Sequence, residues 1–500
     1  MKRQSVIHIA ILLMAFGLRM IALDARPVWY DEAFAILYAS RSFAEMIAGT
    51  VTQVAGAAAD VHPLLYYFSL HVWMQMVGDS ALAARFWSVL FGVATIPLVY
   101  QIARAWFGAR VGWLAMLIVA VAPFHIAYSQ EARMYAPLAF WSALALYSFT
   151  RFRQSTRKRW WGVFVLAGAL ALYSHNLAFL NFAALGFWVI LDALRSRSAH
   201  LLRATVFAGI AMFVLWLPWL IFVPGQFGKI VQTYWVPPPS LVTLVQTAMV
   251  FAFDFDNAAM PAVLAPFILF GAILAPLLIG FELTRARRSA SRVELSFALG
   301  LAILPIILLL LISQWRPVYI TRALLPAFLW YAILFAWALT RMPRWIRIVV
   351  AVGMSLIVIG VLPAYYTYTR FPRARFAAIA QVLRAQMRPG DAIIHDNKLS
   401  FFPMYYYDRA LAQSFIADPP GAASDTLAYP TQHALQIFAT QLDTATANRS
   451  RVWLIIFQNA IVESGETGHA PPNVLWMEQH FRRVSVESFD DLSVYLYETR

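Results

Sequence analysis

The sequence contains no cysteine among its 500 residues, and only 13% of those residues are charged. The absence of cysteine excludes disulfide bonds, thiolate metal sites and cysteine nucleophiles. Soluble domains carry roughly 25% charged residues, so a chain with so few charges cannot cover itself with a water-soluble surface. The P-loop, the dinucleotide glycine fingerprint and the H-E-x-x-H pattern are also absent, and no internal nucleotide site is indicated.

Hydrophobic residues are abundant instead and make up 61% of the chain, against roughly 45–50% in soluble domains. Several apolar stretches reach about 18–23 residues, the length that crosses a bilayer. We predict a mainly α-helical, polytopic membrane bundle of about eleven spans. The predicted spans are residues 5–23, 83–103, 110–124, 137–150, 160–175, 177–194, 204–223, 260–282, 295–313, 321–340 and 346–364. The first is expected to be an uncleaved anchor, since no small-residue cleavage site follows it.

The net charge of +14 is unevenly distributed along the chain. Residues 366–500 hold 12 Lys/Arg and 13 Asp/Glu, whereas the first 365 residues hold 27 bases and 12 acids. A basic excess beside apolar spans is typical of cytoplasmic loops. The charge therefore predicts the lipid bilayer, and no nucleic acid, as the partner of the basic segments.

The segment 62–78 decides which side each later loop occupies. If it does not cross the membrane, 19 bases lie in cytoplasmic loops and six lie in the outer loops before the tail. If it crosses, 17 of those 19 bases move outside, against the positive-inside rule. We therefore predict that residues 24–82 form one outer region with interfacial helices.

The balanced tail is predicted to be a soluble α/β domain at the outer face. This divides the chain into a membrane domain, residues 1–365, and an outer domain, residues 366–500. Within the tail, the hydrophobic pattern predicts a helix over 374–387 and strands over 391–395, 451–457 and 493–497.

The first candidate site lies just after the first span, where Asp31 and Glu32 open a predicted interfacial helix. A partly buried carboxylate there can act as a general base. Acids are also favoured in the first turn of any helix because they interact with the helix dipole, so a purely structural role stays open. Successive helical residues point some 100° apart, and at most one of the two is expected to do chemistry.

The second candidate is the run from Asp60 to Tyr67, where His62 can contact a phosphate or a metal and Tyr66 or Tyr67 can line a substrate cleft. An interfacial aromatic belt that begins with Pro63 explains the same pattern.

The third candidate is the short outer loop around Glu131, Arg133 and Tyr135. The Arg133 guanidinium suits an anionic phosphate, and Glu131 can position a sugar hydroxyl or a metal. An internal Glu131–Arg133 ion pair is the alternative.

Two further polar groups lie at outer turns between predicted spans. His175 is either a substrate contact or a simply hydrogen-bonded histidine, and Arg322 either holds a lipid phosphate or anchors the chain to headgroups.

Taken in order, these motifs resemble bacterial GT-C glycosyltransferases. The resemblance rests on the outer Asp-Glu, on His-Pro-x-x-Tyr-Tyr from His62, on Ser-Gln-Glu-Ala-Arg-Met-Tyr ending at Tyr135, and on Tyr-Ser-His and Thr-Arg-Ala-Leu-Leu-Pro. The most similar branch is that of the protein O-mannosyltransferase-like enzymes, which also contains the lipid A aminoarabinose transferases.

The resemblance implies a GT-C fold and a polyprenyl-phosphate-linked sugar donor, with a lipid, glycan or protein as acceptor. Asp31 would then deprotonate the acceptor hydroxyl with support from Glu32, and Glu131 would be the second-loop acid. Arg133, Arg322 and His62 would bind the donor phosphate, while Tyr66, Tyr135 and His175 would line the cleft. The family inverts the anomeric carbon. A divalent cation is possible for some members, but the Glu-Lys-Pro of the aminoarabinose transferases is Val61-His62-Pro63 here, so their metal ligand does not carry over.

Two other functions remain open from the sequence alone. One is a transporter or flippase of lipid-linked sugars, which the lack of acids in the middle of the predicted spans disfavours. The other is a noncatalytic membrane protein that presents its tail domain to a partner.

Overall fold

The structure, a computed structural model, describes residues 2–155, 157–196, 199–232, 236–254, 262–285, 292–418, 427–466 and 470–500. The first part of the chain folds into helices α1 (Lys2–Met20), α2 (Tyr30–Ala39), α3 (Phe43–Val51), strands β1 (Gln53–Val54) and β2 (Ala57–Ala58), α4 (Leu65–Val77), α5 (Ala81–Phe107), α6 (Ala109–Val121), α7 (Pro123–Ser129), α8 (Tyr135–Ser155), α9 (Lys158–Ser174), α10 (Phe179–Ser196), α11 (Ala199–Leu220), α12 (Val223–Gln232), α13 (Leu241–Phe253), α14 (Ala265–Arg285), α15 (Arg292–Trp315), α16 (Leu325–Arg341) and α17 (Arg344–Thr367). Short 3-10 turns cover Asn176–Ala178, Ala262–Leu264 and Thr321–Leu324.

The remaining elements belong to the tail. They are α18 (Phe376–Gln386), β3 (Ala392–His395), α19 (Lys398–Tyr407), β4 (Gln413–Phe415), α20 (Tyr429–Leu435), α21 (Leu442–Thr446), β5 (Arg451–Phe457), α22 (Gln458–Glu466), α23 (Pro472–His480), β6 (Phe481–Phe489) and β7 (Leu492–Thr499).

Several helices are long and apolar enough to cross a bilayer, as a multi-pass membrane protein requires. Within the described ranges seven helices meet this condition by length and composition, namely α5, α10, α11, α14, α15, α16 and α17. The pair α6 and α7, bent by 58°, makes an eighth if it forms one broken span. Of the eleven predicted spans, those that became α1, α8 and α9 do not meet the condition and stay predictions.

The segment 62–78, which was predicted not to cross the membrane, contains α4. The 13 residues of this helix extend roughly 20 Å at 1.5 Å per residue, short of the ~30 Å hydrocarbon core. It packs against α2, α5 and α9, and it is not among the candidate spans. Its length agrees with an interfacial position.

The core of the bundle lies around α16. In its most apolar stretch 89% of the residues are buried, and the helix packs against α6, α8, α14 and α15. The corresponding share of buried residues is 11% in α11 and 17% in α17. Peripheral helices with exposed apolar side chains are expected of a protein whose solvent is lipid. Because α16 follows the turn that carries Arg322, the most deeply packed helix fixes one side of the candidate site.

The tail contains a five-stranded mixed sheet in the order β4-β3-β5-β7-β6. Strand β3 runs parallel to β4 and β5, and β7 runs antiparallel to β5 and β6. The predicted strands at 391–395, 451–457 and 493–497 correspond to β3, β5 and β7, and the predicted helix at 374–387 corresponds to α18. Strands β4 and β6 were not predicted, because β4 has only three residues and β6 is an exposed edge strand with charges along it.

The tail also packs on the outer region, where α19 lies against α2 and α20 lies against α3. Thr431 donates a hydrogen bond of 2.7 Å to the carbonyl of Gly49. A Cβ at Gly49 would lie 2.7 Å from the Cβ of Ala434 and 2.6 Å from the Tyr38 hydroxyl, so glycine permits this close approach. Helix α2, which carries Asp31, therefore lies between α4 of the outer region and α19 of the tail.

Candidate active site

Asp31 is at the centre of the candidate site. Trp29 precedes α2 in an extended conformation, and Asp31 lies in the first turn of the helix. Its Oδ2 is 3.3 Å from Arg322 and 3.7 Å from Arg133, and its side chain keeps 16% exposure. Burial raises the pKa of Asp31, but the charges of Arg133 and Arg322 outweigh it and lower the pKa below its ordinary value. Asp31 is therefore an ionised, partly accessible carboxylate between two cations.

His62 lies between an acid and one of these cations. Its Nδ1 is 2.9 Å from Asp60 Oδ1 and its Nε2 is 3.2 Å from Arg133 Nη2. Burial raises the pKa of Asp60, yet the hydrogen bonds that His62 and the backbone N–H of Val61 donate, together with the charge of Arg133, lower it below its ordinary value. The hydrogen-bond network therefore assigns the proton to Nδ1, which donates to Asp60, while Nε2 accepts from Arg133. His62 thus orients the Arg133 guanidinium.

Arg133 also contacts Tyr67, one of the two tyrosines that the sequence suggested for the cleft. The predicted cleft residue Tyr66 is buried in α4 and lies 6.1 Å, ring to ring, from Tyr67. The hydroxyl of Tyr67 accepts a hydrogen bond of 3.5 Å from Arg133. Tyr67 rather than Tyr66 is therefore the tyrosine beside the guanidinium.

Tyr135 packs against Arg322, and His175 packs against Tyr135. The Arg322 guanidinium carbon is 5.3 Å from the Tyr135 ring centroid, and the Tyr135 ring is 5.9 Å from that of His175. His175 Nδ1 accepts a hydrogen bond of 3.1 Å from the backbone N–H of Leu177. Burial and the neighbouring cations lower the pKa of His175 to about 3, so it is a neutral histidine that caps the following turn.

Glu32 belongs to a separate, fully buried cluster. Arg85 donates two hydrogen bonds of 2.8 Å to it, Arg373 donates one of 3.0 Å, and the backbone N–H of Ala132 donates one of 3.2 Å. Burial raises the pKa of Glu32, but the charge and hydrogen bonds of Arg85, together with Arg373, lower it to about 2. Glu32 has no exposed surface, so this arrangement gives it a positioning role beside Asp31 and no direct contact with a substrate.

Glu131 does not form the internal ion pair with Arg133 that was the alternative to a role in the site. Its Oε1 instead accepts a hydrogen bond of 2.5 Å from Arg373, and its Oε2 has no hydrogen-bond partner among the described residues. Burial raises the pKa of Glu131, and the charge of Glu32 adds to this, against the opposing charges of Arg373 and Arg26. Glu131 is thus a buried carboxyl group with one oxygen available.

The sequence reasoning missed Arg85 and Arg373. A charged residue in the first turn of an otherwise apolar helix needs a partner, and this signal was available for Arg85. Arg373 follows the last span, and its partner Glu32 is 341 residues away. No local pattern in the sequence indicates that contact.

The donor set does not fit a divalent cation. No cluster of three or more His, Asp or Glu side chains suited to a metal ion occurs in the part of the chain that the structure describes. Asp31 faces two guanidinium groups, and both ring nitrogens of His62 are engaged by Asp60 and Arg133. Positive charge at these positions opposes the binding of a metal ion.

Several apolar helices long enough to cross a bilayer and a small mixed-sheet domain, beside a carboxylate–arginine site, fit the GT-C fold. A family model described as dolichyl-phosphate-mannose-protein mannosyltransferase matches residues 61–222. No curated protein sequence matches the chain.

Solved structures match over nearly the whole chain. ArnT from Cupriavidus metallidurans in the apo state is 16% identical with a TM-score of 0.67, covering 99% of this chain and 98% of that chain. The same protein bound to undecaprenyl phosphate is 16% identical with a TM-score of 0.64, covering 98% and 97%. Oligosaccharyltransferase AglB from Archaeoglobus fulgidus, in complex with an inhibitory peptide and a dolichol-phosphate, is 12% identical with a TM-score of 0.52, covering 98% and 74%. These likenesses show the GT-C fold, and together with the family match over residues 61–222 they confirm the resemblance that the motifs predicted.

Proposed function

We propose that this protein is a membrane glycosyltransferase that moves a hexosyl or pentosyl group from a polyprenyl-phosphate donor to an acceptor hydroxyl. The observation that carries the proposal is the convergence of Arg322 and Arg133 on the partly exposed Asp31, at 3.3 and 3.7 Å. Two guanidinium groups suit a phosphate, and an ionised carboxylate between them suits a base. The structural neighbours bound to undecaprenyl phosphate and dolichol-phosphate support a lipid-linked donor.

In the proposed reaction the acceptor oxygen attacks the anomeric carbon while Asp31 takes the hydroxyl proton. The bond from the anomeric carbon to the phosphate oxygen breaks, and its electron pair leaves with the polyprenyl phosphate. Arg133 and Arg322 stabilise the negative charge that grows on the phosphate, which lowers the transition state more than the ground state. A direct displacement of this kind inverts the anomeric centre.

Donor binding also changes Asp31. In the free protein the two arginines lower its pKa, which makes it a weak base. A phosphate bound to the same guanidinium groups compensates their charge and so raises the proton affinity of Asp31. The base therefore gains strength when the donor is in place.

The proposed location is the bacterial inner membrane, with the site and residues 366–500 on the periplasmic side. The distribution of Lys and Arg along the chain supports this orientation. The acceptor is a lipid, a glycan or a protein, and a polyprenyl-linked donor confines the reaction to the membrane surface.

The test is sugar transfer by the purified protein in lipid nanodiscs, supplied with a panel of polyprenyl-phosphate sugars. Asp31→Asn keeps the size of the side chain but removes the base, and we expect transfer to fall about 10²–10⁴-fold while polyprenyl phosphate still binds. Asp24→Asn is the matched control, because Asp24 is an exposed aspartate of the same outer region. Wild-type transfer by Asp31→Asn would show that Asp31 is not the base.

A further inference from the structure

Glu131 has a free oxygen at a place where little water can reach it. The residue is 7% exposed, its Oε1 is held by Arg373 at 2.5 Å, and its Oε2 has no hydrogen-bond partner within the described residues. A buried carboxylate oxygen without a partner costs free energy, and such a group calls for an explanation. A hydrogen-bond donor that arrives with the substrate would satisfy it.

Trp29 places this free oxygen next to the proposed phosphate site. Its ring centroid lies 5.9 Å from the Arg322 guanidinium carbon and 5.3 Å from that of Arg373, so the indole contacts both arginines. The indole Nε1 is buried and also has no hydrogen-bond partner in the described part of the chain. A donor on Trp29 and an acceptor on Glu131 therefore both belong to residues that contact Arg373, and Trp29 also contacts Arg322 of the proposed phosphate site.

The charge around Glu131 decides what kind of donor fits. The charges that act most strongly on it are those of Arg373, Glu32, Arg26 and Arg322, and ion pairs add Arg85 beside Glu32 and Asp31 beside Arg322. Four guanidinium groups against three carboxylates leave one net positive charge if Glu131 is ionised, and two if it is protonated. In either state an ammonium group would enter a region of like charge, which opposes binding, whereas a neutral hydroxyl would not.

We propose that Glu131 and Trp29 form a subsite for the transferred sugar that accepts a neutral, hydroxylated sugar and discriminates against an amino sugar. A sugar hydroxyl donates to Glu131 Oε2, and the Trp29 indole N–H donates to a sugar oxygen. Arg373 positions Glu131 and supplies the positive charge that disfavours an ammonium group. The subsite deepens the proposed function and rests on it.

The experiment compares donors on the unmodified protein. Polyprenyl-phosphate hexose, polyprenyl-phosphate pentose and a polyprenyl-phosphate 4-amino-pentose are offered to the protein in nanodiscs, and kcat/KM is measured for each near neutral pH. We expect at least one neutral donor to be used about 10²-fold better than the amino donor, since a mismatched polar group in a sugar subsite costs a few kcal/mol. The difference should shrink at a pH where the amine loses its proton.

The variant Glu131→Gln supplies an independent readout, with Glu45→Gln as a control at a partly exposed carboxylate outside the candidate site. We expect Glu131→Gln to lower kcat/KM for the preferred neutral donor while the affinity for sugar-free polyprenyl phosphate stays unchanged. Equal or better use of the amino donor by the unmodified protein would overturn the subsite and leave the proposed function intact. Transfer from none of the donors would overturn the proposed function and the subsite with it.

Discussion

The buried pair Arg85–Glu32 gives the most quantitative prediction, because burial, hydrogen bonds and pKa all bear on it. Replacement of Glu32 by glutamine keeps the volume of the side chain but removes the charge that Arg85 and Arg373 share. The pKa of Glu32 is lowered from 4.5 to about 2, chiefly by Arg85 once the opposing effect of burial is overcome. Each pKa unit corresponds to about 1.4 kcal/mol, so the folded protein is more stable by roughly 3 kcal/mol with Glu32 ionised than with Glu32 protonated. Breaking a buried ion pair by removing one partner costs a similar ~3–5 kcal/mol.

The pH dependence of this contribution has a definite sign. Since the folded pKa lies below the ordinary value of 4.5, the stabilisation is complete well above pH 4.5 and is lost as the pH falls towards 2. Glu32→Gln should therefore lower the melting temperature of the purified protein by several degrees at pH 7, and the gap to wild type should narrow on acidification. Glu45→Gln replaces the partly exposed acid of the α3 capping box with a residue that the box also accepts, and the loss of its interaction with the helix dipole should cost only about 0.3–1 kcal/mol. If Glu32→Gln destabilises the protein no more than Glu45→Gln does, the reasoning about the buried pair is wrong.

Three further predictions concern the phosphate, the topology and the docking of the tail. Arg133→Lys should impair sugar transfer while leaving the melting temperature near that of wild type, because an ammonium group cannot bind a phosphate in the two-pronged way of guanidinium; full activity would remove Arg133 from the site. Single cysteines at Ser42 and Ser450 should react with an impermeant thiol reagent in intact spheroplasts, whereas Ser155→Cys should be protected, and the reverse pattern would invert the topology. Gly49→Ala should loosen α20 from α3, since the added Cβ meets atoms at 2.6 and 2.7 Å; limited proteolysis that releases the tail no faster than in wild type would contradict this.

Composition and the hydrophobic pattern were sufficient to predict the membrane bundle and several strands and a helix of the tail, whereas the outer position of residues 24–82 stays a prediction. The confirmed features follow from long apolar stretches and from the alternation of side chains in strands, both of which are local in sequence. The spans that became α1, α8 and α9 show the limit of this signal, because they are shorter or less apolar than the seven clear ones. Strand β6 shows another, since Arg482 and Arg483 interrupt its hydrophobic pattern at the edge of the sheet.

Some residues of the candidate site could be predicted from the local sequence, and others depend on contacts between distant parts of the chain. Asp31, Arg133 and Arg322 could be proposed because each is a charged group in an outer segment with few charges, and the motif resemblance joined them. The partners of Glu32 could not, since Arg85 is 53 residues away and Arg373 is 341 residues away. Which carboxylate pairs with which guanidinium depends on tertiary packing that no local spacing encodes.

The adjacent residues Asp31 and Glu32 show how one short segment combines stability with proposed chemistry. Their side chains leave α2 in directions about 100° apart, so Glu32 enters the buried cluster while Asp31 stays partly exposed. Arg85 also donates to the backbone carbonyls of Leu23, Arg26 and Pro27, at 2.7, 2.9 and 3.1 Å. These bonds fix the chain that leads into α2 and therefore fix the direction in which Asp31 points. Loss of Glu32 should thus reduce transfer indirectly, through a displaced Asp31 and a lower melting temperature, whereas loss of Asp31 should reduce transfer in a protein that remains folded.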